Sequence, residues 1–225
     1  MGTEDDVRPA FYALRAGGWR DYVTVLHLPY TLWNLSYVAL GAALAPTFHL
    51  DRLLWGLAAF FLALGVAAHA LDELHGRPLR TRIPSGVLAG MAAAALAGAV
   101  AIGIGAAAAW GFGLLVFVAI GAVGVPLYNL EIALHNEWGL ALLWGAFPVL
   151  TGFFVEAQTI RLEAVAAAAY GAILILAQRT LSTPVRHARR TLGTTAGAEP
   201  LERALRLMCW ASVALGVAAV AARLR

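Results

Sequence analysis

No lysine occurs in this chain; all 16 of its permanently basic side chains are arginines. Charge of either sign is scarce, at 13% of 225 residues, where a soluble domain carries about a quarter. That scarcity excludes water as the main solvent of the surface. A lone cysteine, Cys209, excludes an internal disulfide, and its place inside an apolar run reads as a structural thiol. Residues 1–21 carry Glu4, Asp5, Asp6, Arg8, Arg15 and Arg20. They lack the basic start, apolar core and cleavage site of a secretory leader, so the first spanning segment is expected to stay in the mature protein. No repeat with a period of about 20 to 50 residues is visible, which excludes a solenoid. The net charge of +3 calls for no nucleic acid; anionic lipid headgroups are a sufficient partner.

What the chain has in plenty is apolar length. Hydrophobic residues make up 61%, and runs near the roughly 20 residues that cross a bilayer recur almost end to end. The reading is an all-α, polytopic helical membrane protein with about seven spans, near 22–46, 52–74, 85–109, 111–131, 138–157, 162–182 and 203–223. A cytoplasmic segment 1–21 precedes a single transmembrane domain 22–225. Span 85–109, nearly all Ala, Gly, Val and Ile, is expected at a crowded helix interface. Residues 183–202, TPVRHARRTLGTTAGAEPLE, read as one long polar linker.

The arginines set the orientation. With a cytoplasmic N-terminus, the inside segments hold Arg8, Arg15, Arg20, Arg77, Arg80, Arg82, Arg179, Arg186, Arg189, Arg190, Arg203 and Arg206. The outside keeps only Arg52, Arg161, Arg223 and Arg225, a clear positive-inside bias.

Under this topology the ionisable side chains gather at the cytoplasmic ends of spans: His27, then His69, Asp72, Glu73 and His75, then Glu131 and His135, then His187. Such groups persist inside membranes chiefly where they face a wet cavity and pair with a partner or ion. His69 with Asp72 or Glu73, Asp72 with His75, and Glu131 with His135 stand one helical turn apart, the spacing of carboxylate and histidine metal sites in helical bundles. Imidazole mixed with carboxylate suits zinc, iron or manganese. The same spacing also makes surface salt bridges and caps. Arg77, Arg80 and Arg82 read either as topogenic charges on lipid phosphate or as diphosphate ligands. Asn34, an amide inside an apolar span, wants a partner. Tyr30, Trp33, Tyr37, Trp110, Trp138, Trp144 and Trp210 read as interfacial anchors and packing, and Glu156 as interfacial.

The order of these elements resembles the UbiA superfamily of intramembrane prenyltransferases. LHLPYTLWNLSYVALGAALAP resembles its first helix. HALDELHGRP stands where the family carries its first Asp-rich motif, and RTRIPSG where it carries an Arg-Pro-Leu-x-Ser-Gly segment. YNLEIALHNEWGLALLWGAFPVLTGF looks like its fourth and fifth helices, and the likeness covers about residues 22–190. The resemblance implies a helical bundle around a cytoplasm-facing cavity in which acids hold magnesium, and magnesium with nearby arginines holds a prenyl diphosphate. Position by position, Asp72 and Glu73 match the first motif's acids, His69 falls on its Asn, and Arg82 and Ser85 match the downstream segment. After span six, where the family repeats an acidic motif, AQRTLSTPVRHARR offers Gln178, Ser182, Arg186 and His187 and no acid.

Three functions stay open. The first is a metal-dependent, UbiA-like enzyme on an isoprenoid or lipid substrate, by prenyl diphosphate transfer or cyclisation. Its catalytic residues would be Asp72, Glu73 and Glu131, with Asn34, Arg77, Arg80, Arg82 and Arg186 on substrate and magnesium as cofactor. The second keeps the fold with an iron, zinc or manganese site, possibly dinuclear, built from His69, Asp72, Glu73, His75, Glu131, His135 and His187, for oxidative or hydrolytic lipid chemistry. The third is a non-catalytic lipid-binding or assembly protein whose charges only set topology.

Overall fold

The apolar runs break where backbone chemistry requires it. Ala45 is extended before Pro46, Gly76 precedes Arg77 and Pro78, and Gly111 takes φ +147° between two long helices. The computed structural model describes residues 8–195 and 197–225, and every regular element among them is a helix. In chain order these are α1 (Trp19–Val25), α2 (Leu28–Leu44), α3 (Leu50–Leu74), α4 (Ser85–Trp110), α5 (Leu114–Asn129), α6 (Glu137–Ala157), α7 (Leu162–Thr191) and α8 (Glu199–Arg223). Five of them, α3, α4, α6, α7 and α8, are long and apolar enough to cross a membrane. Shorter α2, with 17 residues, and α5, with 16, occupy the other two expected spans.

The first of those spans is interrupted. His27, at φ 46°, sits left-handed between α1 and α2, an uncommon state for a residue with a side chain. It swings α1 aside and turns the imidazole toward α3. Two spans also widen into π-helical turns, at Phe61–Ala68 in α3 and Ala141–Ala146 in α6, where i→i+5 bonding shifts the phase of every later side chain, and α7 ends in a third at Ala188–Leu192.

Around α2 the helices touch backbone to backbone. A Cβ added at Gly41 would collide with the Val149 carbonyl, and one at Gly152 with the Val38 carbonyl, so α2 and α6 cross with no side chain between them. α7 meets α6 in the same way at Gly171 and Gly145. Trp33, Tyr37, Val38 and Val149 fill the remaining space, and the Trp33 indole donates to the Tyr37 hydroxyl at 2.6 Å.

Three expectations are corrected. The small-residue helix α4 is peripheral: only 22% of its apolar window is buried, against 56% in α6, and Gly86, Gly90 and Gly105 face open space. The polar stretch from Thr183 is no linker, because α7 continues through Pro184 to Thr191 and carries Arg186, Arg189 and Arg190 on its last turns. Glu156 is a buried carboxylate, not an interfacial one. Its Oε2 accepts from the His49 backbone N–H at 2.9 Å and faces His49 Nδ1 at 3.0 Å, tying the α2–α3 connection to the end of α6. Glu4, Asp5 and Asp6 lie outside the described residues.

Candidate functional site: a polar vestibule beside an apolar crevice

Adjacent acids at the end of α3 have opposite fates. Glu73 is fully buried and accepts from the Leu79 and Thr81 backbone N–H groups, at 2.9 and 2.8 Å, and from the Thr81 hydroxyl at 2.9 Å. It holds the 75–84 loop in place, and its oxygens are unavailable to a metal or substrate. Arg77 belongs to the same framework: it donates to the Ile83 carbonyl at 2.6 Å and the Ser85 hydroxyl at 2.7 Å. Asp21 of α1 takes the Arg82 N–H at 2.8 Å and so staples α1 to the loop. The Arg80 and Arg82 side chains point outward, exposed and without a partner among the described residues.

Asp72, about a quarter-turn away, is the acid that faces a site. It makes no hydrogen bond or ion pair to a described residue, and the groups whose charge reaches it most strongly are His135 and Arg186. Arg186 projects from α7 with only a long contact to the Thr183 hydroxyl, 3.5 Å, and its field reaches Tyr12, Tyr30, Tyr128 and His27 as well. Arg179, two turns earlier on the same stripe, reaches Tyr128, and Gln178 reaches the Tyr30 hydroxyl. Three phenols, two guanidinium groups, an amide and one carboxylate therefore cluster at this end of the bundle, in a polar region, the vestibule.

Its floor is aromatic. The His27 ring lies face to face on His69 with centroids 4.1 Å apart and planes 9° apart, and Tyr12 places its hydroxyl 2.9 Å from His27 Nδ1. His69 Nδ1 faces the Gly65 carbonyl at 3.3 Å, so His69 ties its own helix together. Four buried polar atoms have no partner among the described residues, and two of them lie here, His27 Nε2 and Asn34 Oδ1, one turn below Tyr30; the others are Glu156 Oε1 and Arg189 Nε. Such atoms in a native structure mark where a ligand or water belongs. Burial holds the Tyr12 phenol well above its ordinary pKa, so it remains a hydrogen-bond donor.

His75, Glu131 and His135 meet at the edge of the vestibule. The two imidazole Nε2 atoms stand 3.7 and 3.6 Å from the two Glu131 oxygens, and His135 Nδ1 bonds the Tyr128 carbonyl at 3.0 Å. All three are partly exposed, and His187 is exposed on the outer side of α7. No three His, Cys, Asp or Glu side chains among the described residues are placed to hold a metal ion. With Glu73 engaged by the loop and Glu131 between two imidazoles, the donors do not fit a resident dinuclear carboxylate centre.

Beside the vestibule runs an apolar crevice between α3, α4, α5 and α6. Its walls include Phe60, Leu64, Leu96, Val125, Trp144 and Phe147, and it continues along α4 to Trp110, about 20 Å at helical rise. Thr151 is the lone hydroxyl-bearing residue in that wall, and its hydroxyl is returned to the Phe147 carbonyl at 2.8 Å. Trp144 joins crevice to vestibule: its ring packs 4.4 Å from Tyr128, which packs 4.7 Å from His135. No family model, curated protein or solved structure matches the chain.

The sequence pointed to Asp72, Arg186, His69, His135 and Asn34 at this end, and the fold gathers them. It did not single out Tyr12, Tyr128 or Arg179 as site residues; Arg179 reads as a topogenic charge and Tyr128 as the start of the segment resembling the family's fourth and fifth helices. Tyr12 lies in a segment without periodicity, and Tyr128 and Arg179 carry the ordinary marks of a span end.

Proposed function

We propose that the chain is a multi-pass membrane enzyme of UbiA-like type acting on an isoprenoid or lipid whose tail lies in the crevice and whose anionic head lies in the vestibule. The carrying observation is the junction at Tyr128 and Trp144, where a wall of hydrocarbon about 20 Å long meets Arg179, Arg186, Asp72 and three phenols. Guanidinium groups bind phosphate oxygens bidentately, and phenols donate to them without adding charge. Arginines thus occupy the α7 stripe where the resembled family has acids. Asp72, with no hydrogen bond or ion pair to a described residue, is free to meet the divalent cation that a diphosphate brings with it. In prenyl transfer the allylic C–O bond breaks, its electron pair leaves with diphosphate toward Arg179 and Arg186, and a nucleophilic acceptor bonds the allylic carbon and loses a proton. Dry crevice walls keep water from capturing that carbon first. The positive-inside arginine bias supports a cytoplasmic position for this end, with the shorter α2 and α5 crossing the bilayer beside the five long helices.

The test is binding and turnover in detergent with geranylgeranyl diphosphate, with and without magnesium, against geranylgeraniol, which has the tail and no anionic head. Tight binding of the diphosphate alone, weakened in Arg186→Gln, supports the reading. Equal binding of alcohol and diphosphate would sink it, and binding without any diphosphate release from a panel of acceptors would leave a lipid-binding protein. A second reading, a transition-metal site, has only the approach of two imidazole nitrogens to Glu131 behind it, in a trio not placed to hold an ion. Metal analysis of purified protein beside Glu131→Ala decides it, because stoichiometric iron, zinc or manganese lost in the variant is its necessary result.

A further inference from the structure

We infer that residues 8–16 form a strap that closes the vestibule to water, with Glu202 as the catch that holds it shut. The inference rests on the proposed function only in taking the vestibule as the ligand's place.

The strap is non-helical and crosses from α1 toward α7 and α8. Tyr12 is its finger: the hydroxyl reaches His27, and the ring stands edge-on to Tyr30 with centroids 5.6 Å apart. Phe11 packs against the same tyrosine at 6.2 Å, and Ala13 is fully buried beneath the turn. The outer end is pinned by two arginines. Arg206 of α8 lays its guanidinium 4.8 Å from the centre of the Phe11 ring, and Arg189 of α7 donates to the Arg8 carbonyl at 2.9 Å.

Both arginines are held by one carboxylate. Glu202, nearly buried in the first turn of α8, accepts from Arg189 on Oε2 and from Arg206 on Oε1. Glu202 spends its hydrogen bonds on the two arginines that pin the strap, and its charge reaches the vestibule only at Tyr30. The inner end has a hinge. Gly17 and Gly18 adopt φ +116° and +65°, with nothing within 4 Å of where a Cβ would sit, and Asp21 fixes the chain just beyond them through the Gly17 N–H at 2.8 Å. Between hinge and catch, the backbone hydrogen bonds to the other described residues are Leu14 N–H to the Thr24 hydroxyl, 3.0 Å, and the Arg8 carbonyl already named. A segment with so few ties opens locally while the bundle stays folded.

The experiment is cysteine accessibility in the full chain, in a Cys209→Ser background that preserves a donor to the Pro29 carbonyl. Gln178→Cys places a thiol beneath the strap, and Trp19→Cys serves as an exposed reference. A charged, membrane-impermeant maleimide should modify the Gln178→Cys thiol far more slowly than the reference. Adding Glu202→Gln or Phe11→Ala should raise that rate roughly tenfold or more, as loss of a charged hydrogen bond or an aromatic pin implies, while leaving the reference rate unchanged. Equal rates at the two thiols with the strap intact would overturn the inference, as would no acceleration in either variant. Phe11→Ala lies outside the helices and keeps the test alive if Glu202→Gln fails to fold. The labelling needs no amphiphile, so a gated thiol in a protein that binds no diphosphate would refute the function and keep the strap.

Discussion

Helices α2, α6, α7 and α8 meet where glycine lets one backbone touch the next, whereas α3, α4, α5 and one side of α6 meet around a gap. α6, with glycines at 139, 145 and 152, is the most buried of the five long helices, and α4, with five glycines and many alanines, is among the least. Composition therefore does not locate the tight packing. What matters is whether a small residue lies opposite another helix's carbonyl, as Gly152 lies opposite Val38, or opposite nothing, as Gly90 does. The tight half gives a rigid wall from which Arg179 and Arg186 project, and the loose half leaves room for a hydrocarbon chain.

The sharpest test of that contrast is one substitution made on both sides. Gly152→Ala puts a methyl into the Val38 carbonyl, where no flexible side chain can yield, and should cost about 3 kcal/mol or more in reversible unfolding from mixed micelles. Gly90→Ala meets open space and should be neutral or stabilising by up to about 1 kcal/mol, because alanine is the better helix former. Similar destabilisation at both positions would show that α4 is packed against something in the membrane.

The two acids of α3 give the next largest effect. Glu73→Gln weakens three hydrogen bonds to a buried carboxylate and should destabilise the protein by about 2 kcal/mol, with the 75–84 loop exchanging its amide protons faster. Asp72→Asn has no bond to lose and should leave unfolding unchanged to within about 0.5 kcal/mol while reducing diphosphate binding in magnesium. The opposite pattern would exchange the roles assigned here.

This pair also shows how far the sequence could be read. All seven apolar segments contain a helix, and the gathering of Asp72, His135 and Arg186 at one end followed from counting turns and arginines. Which of two neighbouring acids faces inward did not. Residues 72 and 73 differ by about 100° around the helix, and the π-helical turn at Phe61–Ala68 resets the phase just before them. The polar tail of α7 was unreadable for another reason: Pro184 and the arginines look like a loop when the helix's support, Glu202 on α8, lies elsewhere in the chain. The crevice, an absence between four apolar helices, leaves no pattern in any of them.

Within the proposed site the expected changes are smaller in energy and larger in meaning. Arg186→Gln should weaken diphosphate binding about tenfold, roughly 1.4 kcal/mol, leave geranylgeraniol unchanged, and flatten the dependence of affinity on salt. A loss equal for the two ligands would show that Arg186 supports the fold instead of the head.

The gentlest perturbation fills the gap itself. Ala99 lines the crevice on α4, so Ala99→Leu adds hydrocarbon where the loose half has room, and stability should move by no more than about 0.5 kcal/mol. Ligand preference should move more: the geranylgeranyl chain should lose affinity while a shorter geranyl chain keeps its own, since only the longer tail reaches the added side chain. Because the vestibule is untouched, the salt dependence contributed by Arg186 should persist for both. If both tails weakened equally, the larger side chain would be acting through helix spacing and not through occupancy, and the two halves of the bundle would be mechanically coupled rather than separately built.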